Sequence, residues 1–139
     1  MTGSDQLVVD ASAVADAVLR PDGVGDVARS LLAASQCHAP HLIDAELGSI
    51  LRRVTLHAGL GADVAALRLT QAQQLVDVRH DLLGPLTATA WRLRHDVTFY
   101  DALYLALAIA LRRPLLTSDA KLAATARQHC EVLLLDRRG

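Results

Sequence analysis

Aromatic residues, lysine and cysteine are all scarce in this sequence, and no apolar run reaches membrane-spanning length. Aromatics make up 3% of the 139 residues, so few side chains can stack on unpaired bases. The two cysteines, Cys37 and Cys130, each lack a neighbouring partner; they fit neither a disulfide framework nor a zinc knuckle and read as buried thiols. Hydrophobic residues reach 52%, yet charges interrupt every apolar stretch before it could cross a bilayer. The polar start Met1 to Asp5 leads straight into Leu7-Val8-Val9 without the pattern of a signal peptide. A cytoplasmic chain with no membrane partner is expected. A net charge of −1 provides no global basic field, so a nucleic-acid binder would need locally concentrated positive charge. Lys121 is the one lysine; the other basic residues are arginines, whose planar fork suits phosphate, although coding bias produces the same usage.

Short apolar runs alternate with helical periodicity. Leu7 to Val9 reads as a buried strand that stops at Asp10-Ala-Ser12 and passes into a helix over 13–19. Pro21-Asp-Gly23 breaks that helix. A second helical stretch over 24–34 leads to a strand at Cys37 to Ala39, ended by Pro40. From Leu42 to Ala58, Ile43, Leu47, Ile50, Leu51 and Val54 repeat at helical spacing. Residues 61–75 are again helical, 76–78 alternate as a strand, and Pro85 starts a helix through Trp91 and Leu93. Ala102 to Leu111 is apolar on every side and is expected to lie buried. A strand at 115–117, a helix over 120–129 and a strand at 132–135 complete the chain. This order predicts one α/β domain over residues 1–139 with a mostly parallel sheet.

Four acids occupy telling places. In open parallel sheets, ligands sit where strands end and helices begin; Asp10 and Asp119 occupy two such turns. Asp101 opens the buried helix, and Glu46 stands beside the apolar row of its own helix, facing the sheet. Each has a plainer explanation as well. Asp10 and Asp119 suit helix N-caps, Thr98-Phe-Tyr-Asp101 has capping-box spacing, and Glu46 favours a helix dipole. None of these explanations requires the four to border one cleft. If they do, their mutual repulsion calls for a cation or for protons. Oxygen-only ligands favour Mg²⁺ or Mn²⁺ over zinc. Asp10, Asp101 and Asp119 then serve as direct or water-mediated ligands, with Glu46 positioning or deprotonating the attacking water of a phosphodiester hydrolysis.

Val8-Val9-Asp10-Ala-Ser12-Ala, Asp44-Ala-Glu46-Leu, Tyr100-Asp101-Ala-Leu-Tyr104-Leu-Ala106 and Leu116-Thr117-Ser-Asp119, in that order over nearly the whole chain, resemble the PIN domain, specifically the VapC-type toxins of bacterial toxin–antitoxin pairs. The resemblance implies a three-layer α/β/α Rossmann-like fold with Mg²⁺-dependent endoribonuclease activity on single-stranded RNA. It also implies homodimerisation and inhibition by a small antitoxin protein. It makes Asp10, Glu46, Asp101 and Asp119 the site, with Ser12 and Thr117 supporting the carboxylates; Ser118 is a weaker match. Residues 59–96 match nothing diagnostic.

Other features admit two explanations. Arg52-Arg53 and Arg112-Arg113 would line an RNA path or complement helix C-termini. Tyr100 is the best stacking candidate, with a core role as the alternative. Cys37, His38 and His41 lack the fourth ligand of a zinc site. Trp91 suits a core or a dimer interface. A phosphoacceptor receiver domain needs paired acids after the first strand and a lysine after a late strand, and Lys121 falls in a helix. A haloacid-dehalogenase phosphotransferase needs a second Asp where Ser12 stands. A PIN-like domain that binds RNA or protein without cutting is the remaining rival.

Overall fold

Five parallel strands alternate with helices along residues 5–135, the residues described in the computed structural model. Of the polar start read at Met1 to Asp5, only Asp5 falls within them. Strand β1 (Asp5–Val9) leads to α1 (Ala11–Leu19) and α2 (Gly23–Ala33), and β2 (Ser35–Pro40) to α3 (Leu42–His57) and α4 (Ala62–Gln74). Strand β3 (Val78–His80) leads to α5 (Pro85–Arg92) and α6 (Phe99–Leu111); β4 (Leu115–Thr117), α7 (Ala120–Ala126) and β5 (Val132–Leu134) follow. The sheet order is β3-β2-β1-β4-β5.

That order determines the layers. The chain leaves β1 toward β2 and β3 on one side, then returns through α5 and α6 to β4 on the other side of β1. Parallel crossovers are right-handed, so α1 to α4 cover one face and α5 to α7 the opposite one. Packing follows suit: α1 lies against α2, α3 and α4, whereas α6 crosses β1, β2 and β4 with α5 packed on it. Reversal between β1 and β4 creates the crevice at the carboxyl ends of the strands where α/β sheets bind ligands. Residues 102–108 of α6 are buried on all sides, as their uninterrupted apolar sequence requires. Thr98 caps α6, its hydroxyl accepting from the Asp101 N–H at 3.2 Å, and Arg112 ends it in the left-handed region (φ 55°) just before Pro114.

Some boundaries differ from the sequence expectation. The third strand lies at 78–80 rather than 76–78. Val76 lies just past α4 in the turn that closes it, its N–H donating to the Gln73 carbonyl. Asp77 brackets β2 from outside the ladder, its carboxylate accepting from the Cys37 N–H at 2.7 Å; pairing starts only where Val78 meets His38. The last helix stops at Ala126 instead of His129, because residues 128–130 tighten into turns on Thr125 and Ala126 that feed β5. Trp91 is exposed, its ring 5.0 Å from the Arg94 guanidinium, while Leu86, Ala90 and Leu93 carry the buried stripe of this segment. Cys37 is buried as expected, and Cys130 only half-buried.

Candidate active site

Val9 of β1 pairs with Leu116 of β4, and the Asp10 N–H donates to the Leu116 carbonyl at 3.2 Å. This register sets Asp10 beside Thr117. Oδ1 of Asp10 accepts from the Ser12 hydroxyl at 2.7 Å and the Ala13 N–H at 3.0 Å, and Oδ2 accepts from the Thr117 hydroxyl. Thr117 in turn accepts from the Asp119 N–H at 3.0 Å. The supporting hydroxyls expected at Ser12 and Thr117 thus both contact Asp10. Burial pushes the Asp10 carboxyl up to about 6 against the pull of these hydrogen bonds, and the charge of Asp101 adds to the rise.

The other acids converge on the same opening. Asp119 follows β4 and caps α7, its Oδ1 accepting from the N–H groups of Lys121 (2.9 Å) and Leu122 (3.1 Å). Glu46, on α3, accepts from the Tyr104 hydroxyl at 2.5 Å. Asp101 stands in the first turn of α6. All four border one pocket of about 530 Å³. Asp101 is its electrostatic node. Its own carboxyl is raised by burial and then by Asp119, with Thr98 opposing. Glu46 is raised by burial and again by Asp101, against the hydrogen bond from Tyr104 and the charge of Arg53.

The plain and functional explanations therefore hold together: Asp10 and Asp119 are helix caps and also face the pocket. The capping half of Thr98-Phe-Tyr-Asp101 forms as well, while Asp101 lines the pocket. Among the described residues, no three acidic, histidine or cysteine side chains converge tightly enough to cage an ion alone. Mg²⁺ does not need such a cage, since it retains several waters and is commonly held by one or two carboxylates.

The arginine pairs separate. Arg53 lines the pocket, whereas Arg112 and Arg113 precede β4 and so lie at the far end of the strands, beside a different cavity. Tyr100 is exposed and lines the pocket rather than the core. His38 faces His80 (2.9 Å) and Gln6 (3.1 Å), while the Cys37 thiol points to the Leu32 carbonyl at 3.6 Å and is pushed up by burial to about 12. These neighbours are turned apart, as consecutive strand residues must be, and no zinc site arises from them.

Sequence reasoning missed Tyr104 and Asp16, and named Arg53 only as one of a pair, without separating it from Arg52. Tyr104 follows Asp101 by three residues and Arg53 follows Glu46 by seven, spacings that share a helix face. Asp16 is a buried acid in a helix that beyond Ser12 is otherwise Ala, Val and Leu; that anomaly was the available signal.

The PIN domain model matches residues 7–130. Ribonuclease VapC1 of Mycobacterium tuberculosis is 46% identical over 131 residues, 94% of this chain and 98% of that protein. Ribonuclease VapC9 of the same organism is 39% identical, covering 94% and 99%. Among solved structures, PAE2754 of Pyrobaculum aerophilum superposes with a TM-score of 0.68 at 23% identity, over 92% of this chain and 89% of that one. VapBC2 of Rickettsia felis, bound to a DNA fragment from its promoter, gives 0.68 at 14%, over 94% and 99%. These structural likenesses bear on the fold; the sequence relatives carry more. Matched by the PIN model from β1 to the turn before β5, and by ribonucleases along nearly its whole length, the chain belongs to the PIN-domain family and, within it, to the VapC ribonucleases.

Proposed function

We propose that this protein is a divalent-metal-dependent endoribonuclease that cuts single-stranded RNA and serves as the toxin of a toxin–antitoxin pair. The observation that carries the reading is the position of Asp101, whose charge acts on Asp10 and Glu46 and is acted on by Asp119 within one pocket. Carboxylates gathered in one pocket, with those of Asp10, Glu46 and Asp101 raised by burial and by a neighbouring acid, match the needs of a hard cation with oxygen ligands. Asp10, Asp101 and Asp119 would hold Mg²⁺ or Mn²⁺, directly or through water. When bound, the metal supplies charge stabilisation at the phosphorus and at the departing oxygen.

The chain's own side chains do the rest. Ser12, Thr117 and the Ala13 N–H fix the Asp10 carboxylate in one orientation. Glu46, held by Tyr104, takes the proton of the attacking water, and its raised pKa makes it a stronger base than an ordinary carboxylate. Arg53 at the rim supplies positive charge for a phosphate in a chain with no basic surplus.

The relatives named VapC ribonucleases support ribonuclease chemistry. VapC20 of Mycobacterium tuberculosis, which shares the fold, is a Sarcin-Ricin loop cleaving toxin, and VapBC-5 of the same organism is a member of the VapBC family of toxin–antitoxin systems. By that likeness the partners are an RNA substrate and a small antitoxin. Exposed Leu83 and Trp91, flanking and within α5, favour a homodimer. No described helix is long and apolar enough to cross a membrane. The test is cleavage of RNA with Mg²⁺ or Mn²⁺: products are expected with metal, none in EDTA, and recovery when metal is restored in excess. Undiminished cleavage in EDTA contradicts the reading. The lack of a closed cage among the described residues favours one rival, a PIN-like domain that binds RNA or protein without cutting, which predicts no products in any metal.

A further inference from the structure

We propose that Asp16 and Ser118 are positioning residues for Asp10, clamping the turn after β4 onto α1 so that the Ser12 hydroxyl is committed to the Asp10 carboxylate. The inference rests on the reading that Asp10 helps hold a divalent cation. Asp16, on α1 six residues beyond its N-cap Asp10, is 5% exposed; Ser118 is 7% exposed. The Ser118 hydroxyl donates to Oδ2 of Asp16, joining residues 102 positions apart. From the same residue, the Ser118 N–H donates to the Ser12 oxygen at 3.1 Å.

A serine hydroxyl has one proton and two lone pairs. With the Ser118 N–H on a lone pair of Ser12, the single Ser12 proton is directed to Oδ1 of Asp10, 2.7 Å away. That oxygen also accepts from Ala13, so its acceptor capacity is used. Oδ2 accepts from Thr117, whose proton is oriented in the same way by the Asp119 N–H at 3.0 Å. Among these contacts Oδ2 is therefore the oxygen with a lone pair to offer a cation. Both orienting N–H groups, those of Ser118 and Asp119, belong to the turn that Asp16 holds. A carboxylate buried in an Ala/Val helix would otherwise cost stability. Here it accepts a hydrogen bond from Ser118, and Arg20, one turn on, feels its charge. Partners that orient metal-binding carboxylates typically contribute about 10–100-fold to metal affinity.

The test is Mn²⁺ affinity, measured from the paramagnetic resonance of free Mn²⁺ during titration, alongside thermal melting, for the unsubstituted protein, Ser118→Ala, Ser118→Thr and Asp16→Asn. The expected result is roughly tenfold or greater weakening in Ser118→Ala and Asp16→Asn, with recovery toward the original affinity in Ser118→Thr, which keeps the hydroxyl. Ser118→Ala removes one oxygen without adding volume, so it keeps the test decisive even where Asp16→Asn does not fold. Lowered melting temperatures with unchanged Mn²⁺ affinity would reduce the pair to a structural clamp and overturn the inference alone. Failure of the unsubstituted protein to bind Mn²⁺ would overturn the metal reading, and this inference with it.

Discussion

The Tyr104 hydroxyl donates to Oε1 of Glu46 at 2.5 Å, tying α6 to α3 inside the acid-lined pocket. Burial raises the Glu46 carboxyl, and this hydrogen bond restrains the rise. Tyr104→Phe should therefore push Glu46 higher still, so that RNA cleavage at pH 6 falls by a larger factor than at pH 8. Loss of the bond should also cost about 1 kcal/mol of stability. A pH–rate profile identical to that of the unsubstituted protein would remove Glu46 from the role of base.

Acid repulsion in the pocket should be measurable without any substrate. Asp101 has its carboxyl raised by burial and by Asp119, so the folded state binds more protons than the unfolded state in the window just above the ordinary carboxylate range. Stability then falls as pH rises through that window. Asp101→Asn removes the effect: in metal-free protein it should be more stable than the original at pH 7.5, by less than about 1 kcal/mol after solvent screening, with the gain vanishing near pH 4. The difference between the two proteins is the useful quantity. His38 and His80, whose pKa values burial pushes down, act with the opposite sign in both as pH falls toward 5. Denaturant unfolding at the two pH values checks this; a loss of stability at pH 7.5 would contradict it.

The two arginine pairs provide a contrast. Arg53 lines the acid pocket, whereas Arg113 borders a cavity at the other end of the sheet. Arg53→Gln should raise KM for RNA several-fold and lower the salt dependence of binding by about 0.7 in logarithmic slope, as expected for one lost phosphate contact to a single strand. Arg113→Gln should change neither. Equal effects from the two would place the RNA path elsewhere.

One backbone approach can be tested independently of function. At Gly25 an added Cβ would stand 1.9 Å from the Arg20 carbonyl oxygen, a backbone atom that cannot swing aside, so α2 closes onto the end of α1 only because this residue lacks a side chain. Gly25→Ala should destabilise by about 2 kcal/mol, read as a drop of several degrees in Tm. Gly23→Ala, where a Cβ meets nothing within 4 Å, should not.

Much of this arrangement was legible in the sequence because strand ends and helix starts are local events. Asp10 and Asp119 could be placed in turns after strands from apolar runs and polar stops alone, and α6 announced its burial by having no polar face. What local pattern could not supply was the match between distant segments. The pairing of Val9 with Leu116 brings Thr117 to Asp10 across 107 positions, and neither residue encodes that register by itself. Tyr104 read as core, and its body is core; only the fold shows that its hydroxyl reaches Glu46. Arg52 and Arg53 are indistinguishable in sequence, yet the turn of α3 aims just one of them at the pocket. Val76-Asp-Val78 alternates like a strand, but the end of α4 holds Val76 and Asp77 serves Cys37 from the side, so the ladder begins later.

The central claim is that the gathered carboxylates are the cutting machinery, and single substitutions within them test it most directly. Asp10→Asn and Asp101→Asn, each confirmed folded by circular dichroism, should reduce Mg²⁺-dependent RNA cleavage by at least about a hundredfold. Cleavage by both variants at the rate of the unsubstituted protein would contradict the account.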